Sequence, residues 1–447
     1  MRIACLHIPQ FALQCATRLD QSLRGAAVVV VGARDPRAGD RIARVALHSP
    51  IVQACSRAAW GMGARVGMTA TAARALSPDL KVVTADALLE RETVRGLADV
   101  LLALSPLVDV GGRIGAGAAH LAMYCEVPSK TRGTSFGDRV LEKLETFGLT
   151  ARIGIADDRF TAWVAASSER RIDRLADDDG GVVVSVPRGG SAAFLAPRPL
   201  SLLAISPEVQ HMLEALGVST LGEFAALPAP SVARPLEADY QALARGESGT
   251  VLRAYAPDAP IREEVAIAAP LSVSAATAVL AERIALRLAG RGRGAARLEL
   301  LVSGEAGERT TPIVVGRAPV KSLESFLTPP SSVIASAEQL AETIGSGLQD
   351  ADRSAWRMRV MVVGEALAGD DQAETQILRN DDENTPAIVD TLSVVLSNSG
   401  SLDLAFGPSA FALTGASPAR EHRRTRRGKQ RRRSETLIQP RLFKTQY

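Results

Sequence analysis

Carboxylates are missing from two stretches of this 447-residue chain: none precedes Asp20, and none lies between Asp109 and Glu126. Neither stretch can supply the acidic oxygen ligands by which proteins hold hard divalent cations. Long apolar runs are missing too, since none approaches the ~18 residues that a helical membrane span needs. The opening Met1-Arg2-Ile3-Ala4-Cys5-Leu6 lacks the apolar stretch and small-residue cleavage site of a secretory peptide, so a cytoplasmic protein is expected. Cys5, Cys15, Cys55 and Cys125 show no CxxC spacing, and His7, His48, His120, His211 and His422 form no HxxxH pair. That excludes the common zinc patterns and leaves buried thiols as the expectation, with no metal and no cofactor.

What is present describes a globular protein of several parts. Hydrophobic residues make up 46% and charged residues 23%, and the length suggests roughly two to four domains. The net charge of +3 conceals an asymmetry: Arg420 to Arg433 holds nine Lys/Arg against one Glu, so removing this +8 leaves 3 − 8 = −5 for the rest. Attraction for polyanions is concentrated in a tail, and the body is mildly acidic.

Ile3 to Ile8 and Ala26 to Val31 read as buried strands, and the pattern from Thr69 to Leu80 reads as a helix before an extended piece at Val82. Leu88 to Leu104 forms an amphipathic helix stopped by Ser105-Pro106, and strand, helix and strand follow through His120–Val127, Phe136–Phe147 and Ala151–Ala156. This alternation predicts an α/β domain with a small inserted subdomain. From Pro199 the texture is helical: Val209 to Leu216, a stop at Gly217, then Thr220 as N-cap for Leu221 to Leu227. The pair reads equally as a helix-hairpin-helix and as a plain helical corner. In Glu264 to Val363 a helix-then-strand order occurs twice, with Leu280, Ile284 and Leu288 on one helix face, which predicts split βαβ units. Past Gly364 the chain turns polar, and much of it is expected to be disordered.

Several segments, in order, resemble the Y-family of lesion-bypass DNA polymerases. LRGAAVVVV (Leu23 to Val31) looks like the strand opening the family's palm, and WGMGARVGMTATAARALSPDLKVV like the helix and strand that follow. LSPLVDV (Leu104 to Val110) resembles the approach to the family's SIDE sequence, FGLTARIGIADDRFTAWVAA its GIAxNKxLAKxA segment, and ALGVSTLGEFAALP its thumb. Roughly four-fifths of the chain is covered, and order and spacing together make the match specific. The resemblance implies a right hand combining α/β and α+β domains: palm-like 1–30 and 82–172, fingers-like 31–81, thumb-like 173–258 with the helix-hairpin-helix, little-finger-like 259–365, and a C-terminal region 366–447 with a flexible basic tail.

By the same resemblance, nucleotide transfer would need two metal ions on acids of the first strand and central hairpin. Aligned on Phe11, the family's DxDxF places His7 and Pro9 at the acid positions, and its SYxAR places Arg57 for the phosphate-gripping Tyr and Trp60 for the Arg. Arg159 keeps a cation where the family has the first Lys of GIAxNK, and Trp163 replaces the second. This combination resembles the ImuB-type branch and predicts a polymerase-shaped protein without polymerase chemistry. The competing expectation is an active, divergent Y-family polymerase using Asp109 or Glu126.

Gln439, Leu442 and Phe443 fit the QxxLF pattern of peptides that bind the bacterial sliding clamp, an apolar pair filling a pocket with an amide at its rim. A chance Leu-Phe pair near a terminus reads the same way without the family context. Leu402, Leu404 and Phe406 form a second, weaker candidate for the clamp or another partner. The run Arg423, Arg424, Arg426, Arg427, Lys429, Arg431, Arg432 and Arg433 reads either as a solvated tail or as a DNA contact without sequence preference, since no aromatic side chain interleaves it. The resemblance further implies a role in SOS mutagenesis, with the clamp, an ImuA-type RecA-like protein, an error-prone C-family DNA polymerase and DNA as partners. A simple DNA-binding protein without a clamp contact is the third expectation.

Overall fold

The computed structural model describes residues 1–32, 50–114, 119–167, 181–228, 238–249, 251–269, 271–305, 307–315, 333–349 and 354–367. These lie in one compact unit, Met1–Phe411; the other, Ala412–Tyr447, falls outside them.

In chain order the first half runs β1 (Ile3–Ile8), α1 (Phe11–Leu19), β2 (Val28–Val31), β3 (Val52–Cys55), α2 (Arg57–Gly61), α3 (Ala70–Arg74), β4 (Lys81–Thr84), α4 (Ala87–Leu102), β5 (Val108–Ile114), β6 (His120–Glu126), α5 (Gly133–Phe147), β7 (Arg152–Ala156), α6 (Arg159–Ser167) and β8 (Val182–Ser185). Five strands form the main sheet in the order β5-β6-β1-β7-β8. All of β1 is buried because both faces are covered, which is why it reads as a near-continuous apolar run. Ala4, Leu6 and Ile8 pack with Leu97 and Leu101 of α4 and Phe136, Val140 and Leu144 of α5. Ile3 and Cys5 pack on the other side with Ala162, Ala165 and Ala166 of α6 and with Leu252.

The inserted subdomain has its own sheet, β3-β2-β4, in which β2 pairs parallel with β4. The helix expected over Thr69 to Leu80 is confined to Ala70–Arg74, capped by the Thr69 hydroxyl; the chain must leave the helix before Ser77-Pro78 to enter β4 at Lys81. Val182–Ser185, expected in the helical thumb-like segment, is the fifth strand of the main sheet, parallel to β7.

Next come α7 (Ser191–Leu195), α8 (Pro207–Ala215), α9 (Leu221–Ala226) and α10 (Ala238–Ala244), packed around Leu200, Leu213, Leu221, Phe224 and Leu243. Thr220 caps α9 as expected, and Glu223 returns the bond to complete a capping box.

The last part runs β9 (Ile261–Ala266), α11 (Val273–Arg291), β10 (Arg293–Gly304), β11 (Gly307–Val314), α12 (Ala337–Ser346) and β12 (Ala355–Leu367). Its sheet order β11-β10-β12-β9 places β12 between β9 and β10, and β10 between β11 and β12, so both helix crossovers are split βαβ units as expected. This domain docks on the helical side of the main sheet. A Cβ on Gly290 of α11 would lie 1.7 Å from the Asp99 carbonyl oxygen of α4, so only glycine permits that approach.

Buried charge holds the contact. Arg287 donates to Asp99 at 2.8 Å and to Glu263 at 2.9 Å, and Arg291 donates to Asp99 at 2.9 Å and Glu365 at 2.7 Å. Arg18 of α1 pairs with Glu263 and donates to the Phe147 carbonyl, and the Tyr255 hydroxyl donates to Asp99. Burial alone would raise the Glu263 carboxyl, but Arg18, Arg287 and Arg283 together hold it below the usual carboxylate range. Among the described residues, no helix is long and apolar enough to cross a membrane, and all four cysteines are buried.

Candidate polymerase-type site

The sheet face opposite α4 and α5 carries the first set of residues singled out in the sequence. His7 lies in β1 between Ala122 of β6 and Arg152 of β7, and the His120 ring stands 5.1 Å from it, centroid to centroid. Burial, then the neighbouring His120 and Arg152, lowers the His7 pKa to about 3, so the imidazole stays neutral near pH 7. Its Nδ1 is buried with no hydrogen-bond partner among the described residues.

Gln10 organises the turn after Pro9. It is the one non-glycine residue with positive φ (47°) among those described, and three elements meet there. Its N–H donates to His120 Nδ1 at 3.2 Å, and its side-chain oxygen accepts from the Cys55 N–H at 3.2 Å. The Phe11 N–H donates to the Ala119 carbonyl at 2.8 Å. Two N–H groups at the opening of α1, those of Gln10 and Phe11, are thus spent on the chain itself. Because His120 Nδ1 accepts, the proton of the neutral ring sits on Nε2, and no lone pair is left there for a metal.

Asp109 sits in a bulge of β5, made by Gly111 at φ +60°, where a Cβ would lie 1.9 Å from the Ala122 carbonyl oxygen. Its Oδ1 accepts from the Gly111 N–H at 2.8 Å. Its Oδ2 accepts from Arg159 at 3.1 Å and from the Arg253 N–H at 3.0 Å. The Arg159 guanidinium also lies 4.0 Å over the Tyr124 ring, so the cation at this position is matched by one acid and one aromatic face. Burial pushes the Cys5 thiol and the Tyr124 phenol upward, both beyond their usual ranges.

Arg57 and Trp60 lie on α2 of the inserted subdomain rather than on the main sheet. The Arg65 guanidinium stacks 3.7 Å over the Trp60 ring and donates to the Trp60 carbonyl at 2.8 Å. The structure therefore unites His7, Pro9 and His120 through Gln10, and Arg159 with Asp109. Among the described residues, no three His, Cys, Asp or Glu side chains gather into a group that could hold a metal ion.

Residues 6–167 match the family model described as impB/mucB/samB. A relative is the ImuB protein of Caulobacter vibrioides, 29% identical over 277 residues, which span 58% of this chain and 54% of that protein. Another is DNA polymerase IV of Dehalococcoides mccartyi, 27% identical over 220 residues, 47% of this chain and 50% of that protein. Over residues 6–167 the chain is similar to the impB/mucB/samB family, and over 58% of its length to ImuB. It spans about half the length of the curated relatives it matches. Among solved structures, DinB from Sulfolobus solfataricus aligns with 83% of this chain and 100% of its own at 14% identity and a TM-score of 0.42. An insertion ternary complex of Dbh DNA polymerase aligns with 81% and 98%, at 14% and 0.43.

The tail positions singled out in the sequence fall outside the described residues: Leu402, Leu404 and Phe406, the basic run from Arg423 to Arg433, and Gln439, Leu442 and Phe443. Sequence reasoning missed Gln10, whose left-handed backbone has no local signature, and Arg253, which meets Asp109 across 144 residues. It also missed the Asp99–Arg287–Glu263 cluster. A signal existed: Arg283, Arg287 and Arg291 recur every fourth residue beside the apolar face of Leu280, Ile284 and Leu288.

Proposed function

We propose that this chain is a non-catalytic, polymerase-shaped adaptor in SOS-induced mutagenic translesion synthesis, joining the sliding clamp, an ImuA-type RecA-like protein and an error-prone C-family polymerase on DNA. The observation that carries the reading is Asp109. It is the acid that closes the carboxylate-free stretch of the hairpin, and both its oxygens are committed to Gly111, Arg159 and Arg253. With His7 and Pro9 in the first strand, a metal ion would have to displace these bonds and still lack partner acids. Function then rests on binding: the tail peptide Gln439, Leu442 and Phe443 on the clamp, and the basic run on nucleic acid near the nucleoid.

Primer extension by the purified chain with Mg²⁺ or Mn²⁺ tests the reading, alongside a clamp pull-down. The expected outcome is no incorporation above an Asp109→Ala control, and loss of clamp binding in Gln439→Ala/Leu442→Ala/Phe443→Ala. Robust, Asp109-dependent incorporation would instead establish a divergent active polymerase. Undiminished clamp binding would move the contact to Leu402, Leu404 and Phe406, and no clamp binding at all would leave a simple DNA-binding protein.

A further inference from the structure

Away from the polymerase-type face, a cavity of about 540 Å³ opens where the start of β1, the end of β6, the loop before α5 and the turn after β8 meet. Its lining includes Arg2, Arg132 and Arg188 against a single carboxylate, Glu126. We propose that this cavity is an anion site that takes a phosphoryl group, a site separate from the adaptor reading and independent of it.

The arginines are placed by a common support. Asp157 accepts from Arg2 through Oδ1 at 3.2 Å and from the Gly189 N–H through Oδ2 at 2.6 Å, and Ser185 accepts from the other arm of Arg2 at 3.0 Å. One carboxylate thus fixes the Arg2 guanidinium and ties down the turn that carries Arg188. With Arg2 matched by Asp157, the unspent charges are those of Arg132 and Arg188, both exposed and without an ion pair among the described residues, set against Glu126. Thr131 and Gly133 also line the wall.

Guanidinium forks match phosphate oxygens better than any other side chain. The volume exceeds what inorganic phosphate needs and lies in the range of small-molecule sites, so the phosphoryl group can carry an attached residue. The source is either a free phosphate compound or the phosphorylated end of a nucleic acid.

Titration calorimetry on the full chain tests the site with inorganic phosphate as probe, followed by one oligonucleotide with and without a 5′-phosphate so that the tail's contribution cancels. Arg132→Ala/Arg188→Ala removes two exposed side chains and should leave the melting temperature unchanged. Saturable phosphate binding that weakens at least ~10-fold in this variant, with recovery in Arg132→Lys/Arg188→Lys, is the expected result. A 5′-phosphate preference that the variant loses assigns the site to nucleic-acid ends; its absence beside intact phosphate binding assigns it to free phosphate compounds. No saturable binding of either probe, or equal binding by the alanine variant, overturns the proposal.

Discussion

Two buried polar regions lie on opposite sides of the main sheet, and they treat charge in opposite ways. On the polymerase-type face the first strand offers one neutral imidazole, His7, and the acid Asp109 is paired with Arg159 and two backbone N–H groups. On the helical face, four arginines (Arg18, Arg283, Arg287 and Arg291) meet three carboxylates (Asp99, Glu263 and Glu365) in the contact with the C-terminal domain. The fold can therefore bury several charges when they are matched. The missing acids of β1 and the hairpin are a local property of one face, not a consequence of a chain that avoids buried charge.

The comparison breaks most visibly at Arg287. Replacing it by Met strips Asp99 and Glu263 of a shared partner while both stay fully buried, and losing one member of a buried network costs on the order of 3–5 kcal/mol. Urea unfolding of Arg287→Met should show a midpoint lowered accordingly. A loss under about 1 kcal/mol would mean that the helical face is held by apolar packing alone.

On the other face the largest effect is a pH dependence. The folded-state pKa of His7 lies near 3, below the ordinary value, so the unfolded chain takes up a proton that the folded chain refuses. Stability contributed by keeping His7 neutral is complete above the unfolded value and is lost as pH falls toward 3, at up to about 1.4 kcal/mol per pH unit. Melting curves between pH 6.5 and 5 should therefore fall more steeply for the wild type than for His7→Leu, which has no proton to take up. Parallel curves would show His7 to be protonated in the folded state, against His120 and Arg152.

These contrasts mark how far the sequence is legible. Strands and helices whose side chains report their own surroundings were readable: the apolar run of β1, the periodicity of α5 and α11, and Thr220 at the start of α9. Both split βαβ units followed from the order of such elements. Pairings decided across the chain were not readable. Val182–Ser185 joins the main sheet only because β7 offers it an edge, and Asp99 meets Arg287 across 188 residues. Absence was more informative than presence at the site. The lack of carboxylates located His7, Pro9 and the hairpin, but only the structure showed that Gln10 and Arg253 take up the bonds left there.

Arg283 gives the smallest expected effect and the sharpest test of why charge is tolerated on the helical face. It is 1% exposed, one arm donates to the Arg18 carbonyl at 3.1 Å, and its Nε and Nη1 have no hydrogen-bond partner among the described residues. Burial, then repulsion from Arg18, pushes its guanidinium well below the ordinary arginine value. It is the surplus cation of the cluster, so replacing it by an apolar side chain of similar length removes a desolvation cost while leaving each carboxylate a partner. Arg283→Met should thus change stability by no more than about 1 kcal/mol in either direction, with stabilisation the more informative sign. If Arg283→Met unfolds as readily as Arg287→Met, the contact depends on total positive charge instead of on the individual pairs, and the distinction between matched and surplus arginines falls.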